Sequence, residues 1–189
     1  MQEEISILFN AISKSTDSNA KRDKTLFAVY AYTGIRKSEA LALKISDYDS
    51  VSKILHLPKS KRSSKTSQII PTILSQILDK YLLEERLKLI TRDYDSLPLF
   101  PGKKLNKKLS SRQVSNRFQR WKRISGIRKN ITIHSFRAAY ASQLYKKTKD
   151  PLLVSYALGH SSFETTKRYI YNDLSNFHSI INDTFTNSI

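Results

Sequence analysis

Five residues in this chain, Arg36, His134, Arg137, His160 and Tyr169, have the types needed to attack a phosphodiester. An arginine offers a planar fork of donors to phosphate oxygens. A histidine moves a proton near neutral pH, and a tyrosine hydroxyl can become a covalent nucleophile. Four of them lie in the stretch IHSFRAAYASQLYKKTKDPLLVSYALGHSSFETTKRYIY, which runs from Ile133 to Tyr171. His134 and Arg137 are three apart, which puts them on one face of a helix, where both could grip one phosphate.

The elements that must hold these residues follow from periodicity and punctuation. Thr132 reads as the N-cap of the helix that carries His134 and Arg137. Asp150-Pro151 starts a short helix over 152–158, and Gly159 ends it, so His160 sits on a turn. Nearer the N-terminus, Glu3 to Ser13 is periodic through Ile5, Leu8, Phe9 and Ile12, and a second helix runs from about Ala20 to a Gly34 stop. Arg36 then opens a short helix with Ala40, Leu41 and Leu43 turned inward; taken alone, it would be read as a surface salt-bridge partner. Between Ser46 and Pro71 the period changes. Lys53 to Leu57 and Gln68 to Pro71 read as two strands of a hairpin around the basic turn PKSKRSSKTS. A scaffold helix is expected over 72–90 and a loop over 92–109. Ser110 or Ser111 caps the next helix, which bears Val114, Phe118 and Trp121 and stops near Gly126. The tail after Tyr171 has no Lys or Arg and carries Leu174, Phe177, Ile180, Ile181 and Phe185 along one helical face.

The strings H-S-F-R at 134–137, L-G-H at 158–160 and T-T-K-R-Y ending at Tyr169 resemble the signature of the tyrosine recombinases, or phage-type integrases. T-G-I-R-K-S-E-A-L-A-L from Thr33 to Leu43 resembles the first-arginine motif of that family. The resemblance covers roughly Leu26 to Tyr171. It implies an α+β fold, mainly α-helical with a small antiparallel sheet, with residues 1–189 forming a single catalytic domain. It also implies site-specific cleavage and rejoining of DNA through a 3′-phosphotyrosyl intermediate. Tyr169, at the family spacing after L-G-H, would be the nucleophile. Arg36 and Arg137 would neutralise the non-bridging oxygens, His134 would assist proton transfer, and His160 would hold a phosphate oxygen. The family's hairpin lysine, which protonates the leaving 5′ oxygen, falls on Lys59 by position, with Lys61 and Lys65 as open alternatives. Because the bond energy is kept in the phosphotyrosine, no ATP, metal or other cofactor is implied. A tetrameric synapse on DNA is expected, with the tail from Asn172 to Ile189 a candidate for exchange between protomers. Members of the family usually carry another helical DNA-binding domain ahead of the catalytic one, for which 189 residues leave no room. Competing readings are a type IB topoisomerase and a non-catalytic DNA-binding protein that keeps the fold.

Charge points the same way. Thirty-three Lys and Arg residues against 16 acidic ones give a formal charge of +17, which favours a polyanionic partner such as double-stranded DNA. Lys61, Arg62 and Lys65 in the hairpin turn, and Arg112 and Arg117 after Ser110, are candidate DNA contacts, with solvated charged surface as the competing reading. The absence of cysteine excludes disulfides and thiolate metal sites. No apolar run reaches the roughly 18 residues of a membrane helix. A cytoplasmic, DNA-associated protein is expected.

Overall fold

The computed structural model describes residues 2–59, 65–86 and 95–159. Its elements in chain order are α1 (Gln2–Ser13), α2 (Ala20–Thr33), α3 (Lys37–Ala42), β1 (Tyr48–Asp49), β2 (Ile54–His56), β3 (Ser67–Ile69), α4 (Thr72–Tyr81), α5 (Ser111–Ile124), α6 (Ile133–Thr148) and α7 (Pro151–Leu158).

Helix α2 is the centre. Leu26, Phe27, Ala28, Val29 and Tyr30 are five consecutive buried residues, so this helix has no solvent face along its middle. A helix that is apolar all round must be enclosed by others, and α1, α4 and α6 pack on it. Aromatic rings fill the joint between α2, α5 and α6. Phe27 stacks on Phe136 with ring centroids 6.0 Å apart and meets Phe118 edge-on at 5.7 Å. Such offset and edge-to-face pairs contribute about 0.5–1.5 kcal/mol each beyond their buried area.

The small sheet is antiparallel in the order β1-β2-β3. The expected hairpin pairs Leu55 with Gln68 and His56 with Ser67. The third strand, β1, is not legible in the sequence because it is only two residues long, and it aligns Tyr48 with Leu55. Helix α4 is shorter than periodicity predicts. It ends at Tyr81 and continues as a wider π-helical turn over Leu82–Arg86. The extra residue in that turn rotates Arg86 into the interior, where its Nη2 donates to the carbonyl of Pro98 at 3.0 Å. Of the expected elements, 87–90 and the tail 172–189 lie outside the described residues.

No helix among the described residues is long and apolar enough to cross a membrane.

Candidate active site

Local chain chemistry fixes the first arginine. Gly34 ends α2 in the left-handed region (φ 62°) and lies against the ring of Tyr140 on α6, where a Cβ would come within 2.5 Å of Tyr140 Cδ1. Both the φ and the contact demand glycine. The turn it makes delivers Arg36 to the N-cap of α3. There Arg36 N donates to Glu39 Oε2 at 2.8 Å, and Arg36 Nη1 donates to Glu39 Oε1 at 3.1 Å. One buried carboxylate therefore caps the helix and orients the guanidinium at once. Sequence reasoning assigned no role to Glu39. Its signal was present as an acidic residue three positions after the start of a helix.

The second arginine comes from α6. Thr132 caps this helix as expected, its N–H donating to Ser135 Oγ at 2.9 Å. Arg137, one turn in, is 4% exposed. Its Nη1 donates to the Gly34 carbonyl at 2.5 Å and its Nη2 to the Leu158 carbonyl at 2.9 Å. These two bonds fix the plane of the guanidinium. They also join α6 to the turn before Arg36 and to the end of α7. His134 lies three residues earlier on the same helix and is exposed.

Helix α7 supplies the floor. Asp150 caps it through Leu152 N and Leu153 N, and Gly159 ends it at φ 63°. The last four carbonyls of a helix have no partner within it, and here each finds one. Gly159 N–H serves Ser155 and Tyr156, Lys65 Nζ donates to Ala157 at 2.5 Å, and Arg137 serves Leu158. The partial negative charge at a helix C-terminus favours cations there. Lys65 and Arg137 therefore meet on the last turn before His160.

Lys65 is the hairpin lysine that tertiary structure brings inward. Its Nζ also donates to Gln68 Oε1 at 2.5 Å. Burial, reinforced by the charge of Arg137 and opposed by Glu39, pushes its ammonium down from 10.5 to about 8. Lys59, the first choice by spacing, has an exposed side chain just beyond the end of β2. The sequence could not separate the two because both flank the same turn.

The remaining candidates divide. His160, Tyr169, Lys61 and Arg62 lie outside the described residues. Arg112 is exposed at the start of α5. Arg117 is committed inside the domain. Its Nη2 donates to Asp17 Oδ1 at 2.8 Å and its Nε to Asp23 Oδ2 at 2.5 Å, while Trp121 Nε1 donates to the same Asp23 oxygen at 2.8 Å. At i+3 from Val114 and i−4 from Trp121, Arg117 borders the buried stripe of α5. That position lets its guanidinium reach carboxylates from α2 and the preceding loop.

Arg137 and Lys65 thus meet at the end of α7, beside the turn that leads into Arg36, a cationic grouping suited to the oxygens of a phosphodiester. The model of the phage integrase family matches residues 1–175, and the chain belongs to that family, the tyrosine recombinases. Among curated relatives it is similar to tyrosine recombinase XerH of Campylobacter jejuni, with 31% identity over 91% of this chain and 48% of the relative. It is also similar to XerC of Thermodesulfovibrio yellowstonii, with 28% identity over 82% of this chain and 51% of the relative. The chain spans about half the length of these relatives. Among solved structures, XerA recombinase superposes with a TM-score of 0.75 at 26% identity over 89% of this chain and 57% of that one. XerH in a post-cleavage complex with palindromic difH superposes at 0.76 with 25% identity over 95% and 51%. The described residues have the catalytic-domain fold of that family.

Proposed function

We propose that this chain is the catalytic part of a site-specific DNA recombinase that cleaves and rejoins double-stranded DNA through a 3′-phosphotyrosyl intermediate. The observation that carries the reading is the meeting of Lys65, Arg137 and the Arg36 turn at the end of α7, two residues ahead of His160. The family membership and the DNA complexes of XerH support the same chemistry.

In the forward step Tyr169 Oη attacks phosphorus and its proton passes to His134. The phosphorus–O5′ bond breaks, and Lys65 Nζ gives its proton to O5′. Arg36, Arg137 and His160 stabilise the charge that builds on the non-bridging oxygens, which is usually the largest single contribution to such catalysis. Rejoining reverses each transfer: the 5′ hydroxyl attacks phosphorus, Lys65 recovers its proton and Tyr169 departs. Lys65 is preferred to Lys59 as general acid because it is the half-buried hairpin lysine on which the charge of Arg137 acts.

A nicked suicide DNA substrate tests this reading. The wild-type chain should form a covalent protein–DNA adduct, Tyr169→Phe should bind DNA without forming one, and Tyr171→Phe should retain it. An adduct that survives in Tyr169→Phe and disappears in Tyr171→Phe would move the nucleophile.

On DNA, four protomers would form the synapse, with the apolar face of Leu174, Phe177, Ile181 and Phe185 docked on a neighbouring protomer. Removal of 174–189 should leave a folded chain that binds one site but forms no higher complex on native gels. Unchanged assembly would refute the exchange.

A further inference from the structure

We infer that Gln68 and Tyr140 are positioning residues that hold the Lys65 ammonium where it can deliver a proton, an inference that rests on the assignment of Lys65 as general acid. Gln68 is 6% exposed on an edge strand, an unusual place to bury a carboxamide without a task. Its four hydrogen-bonding positions are constrained by its surroundings. Gln68 Nε2 donates to the carbonyl of Ile69 at 2.7 Å, and the same side chain is hydrogen-bonded to the Tyr140 hydroxyl. With the amide nitrogen turned to these two acceptors, Oε1 must point the other way, and it accepts from Lys65 Nζ at 2.5 Å. The flipped amide would set its own N–H groups against an ammonium, donor against donor, and would lose the Ile69 bond.

Tyr140 closes the chain of contacts. It stands three residues after Arg137 on α6, so the two side chains share a face. Its ring fills the space over Gly34, and its hydroxyl holds Gln68. Arg137, Gly34 and Lys65 are therefore registered to one another through one tyrosine and one glutamine. A lysine stem has four rotatable bonds, and a proton donor left to wander loses much of the benefit of proximity. Gln68 and the Ala157 carbonyl hold two sides of that ammonium. Among the charged groups that act on it are Arg137 from α6, which disfavours its proton, and Glu39 from α3, which favours it.

The test compares single-turnover cleavage of an ordinary suicide substrate with one carrying a 5′-bridging sulfur, whose leaving group needs no proton. Lys65→Ala is the reference and should be slow on oxygen and restored on sulfur. Gln68→Leu should slow the oxygen substrate about 10- to 100-fold and leave the sulfur substrate near wild type. Tyr140→Phe, which removes only the hydroxyl, should show the same selectivity with a smaller loss. Gln68→Glu adds a negative charge beside the ammonium and should move the alkaline limb of the oxygen-substrate profile to higher pH. If Lys65→Ala is rescued by sulfur but Gln68→Leu and Tyr140→Phe slow both substrates equally, or neither, the positioning role is overturned while the Lys65 assignment stands. If Lys65→Ala is not rescued, the assignment itself fails and takes this inference with it. Should Gln68→Leu not fold, Tyr140→Phe and the pH shift of Gln68→Glu decide the matter by the same criteria.

Discussion

Arg137 Nη1 donates to the Gly34 carbonyl at 2.5 Å across 103 residues of sequence. With the Leu158 bond, it makes the guanidinium a three-way tie between the Arg36 turn, α6 and the end of α7. A side chain that holds three elements together in one plane does not tolerate a change of shape.

Arg137→Lys keeps the charge but cannot span two carbonyls in a fixed plane. Cleavage of a suicide substrate should fall about 10²- to 10³-fold, the usual loss on removing one donor to a developing oxyanion. DNA affinity at fixed salt should change far less. Single-turnover rates within tenfold of wild type would show that the two carbonyl bonds do not matter.

Lys65 should titrate near pH 8 in the free protein, against 10.5 for an ordinary lysine. Since the folded value is depressed, the folded chain binds fewer protons than the unfolded chain between these two values. In that window the unfolded chain holds the extra proton, so the stability carried by this group rises with pH, while the competence of Lys65 as an acid declines. Competitive amine labelling followed by peptide mapping should find Lys65 among the most readily deprotonated lysines when DNA is absent. Bound phosphate should raise its value and suppress the labelling. Labelling of Lys65 that begins only near pH 10 would contradict its burial.

Arg117 is expected to act on stability rather than on DNA. It holds the Asp17 carboxyl at about 2, below the ordinary 3.8. A depressed carboxylate stabilises the fold above its unfolded value and loses that contribution as pH falls through its folded one. The loss thus lies between pH 3.8 and about 2. Arg117→Ala should flatten the acid limb of a Tm-against-pH curve in that range. At neutral pH it should lower stability by about 2 kcal/mol, or roughly 6 °C in a chain of this size. If Arg117→Ala instead weakens DNA binding at an unchanged Tm, the guanidinium contacts DNA after all.

DNA affinity should be dominated by phosphate contacts, given the formal charge of +17. For about six neutralised phosphates, log affinity against log salt should have a slope of about −5. A salt titration that returned a slope near zero would remove electrostatics as the source of affinity.

Much of this protein is legible in its amino-acid order. The ends of α2 and α7 are written in Gly34 and Gly159, residues that take a left-handed turn without penalty. The start of α6 is written in Thr132 and the start of α5 in Ser110, because caps are local chemistry. The motifs around Arg36 and Arg137 are equally plain, since residue type and spacing carry their information within a few turns. What the sequence leaves undecided are choices between residues equivalent in local context. Lys59 and Lys65 flank one basic turn, and only the arrival of α7's last carbonyls separates the exposed lysine from the half-buried one. Arg112 and Arg117 share a helix, and only Asp17 and Asp23, 100 and 94 residues before Arg117, claim one of them for the interior. Gln68 and Glu39 owe their tasks to partners from other elements as well as to their own neighbours. Local propensity fixes where a helix begins and ends, but burial and the pairing of charges depend on which distant groups the fold brings within about 3 Å.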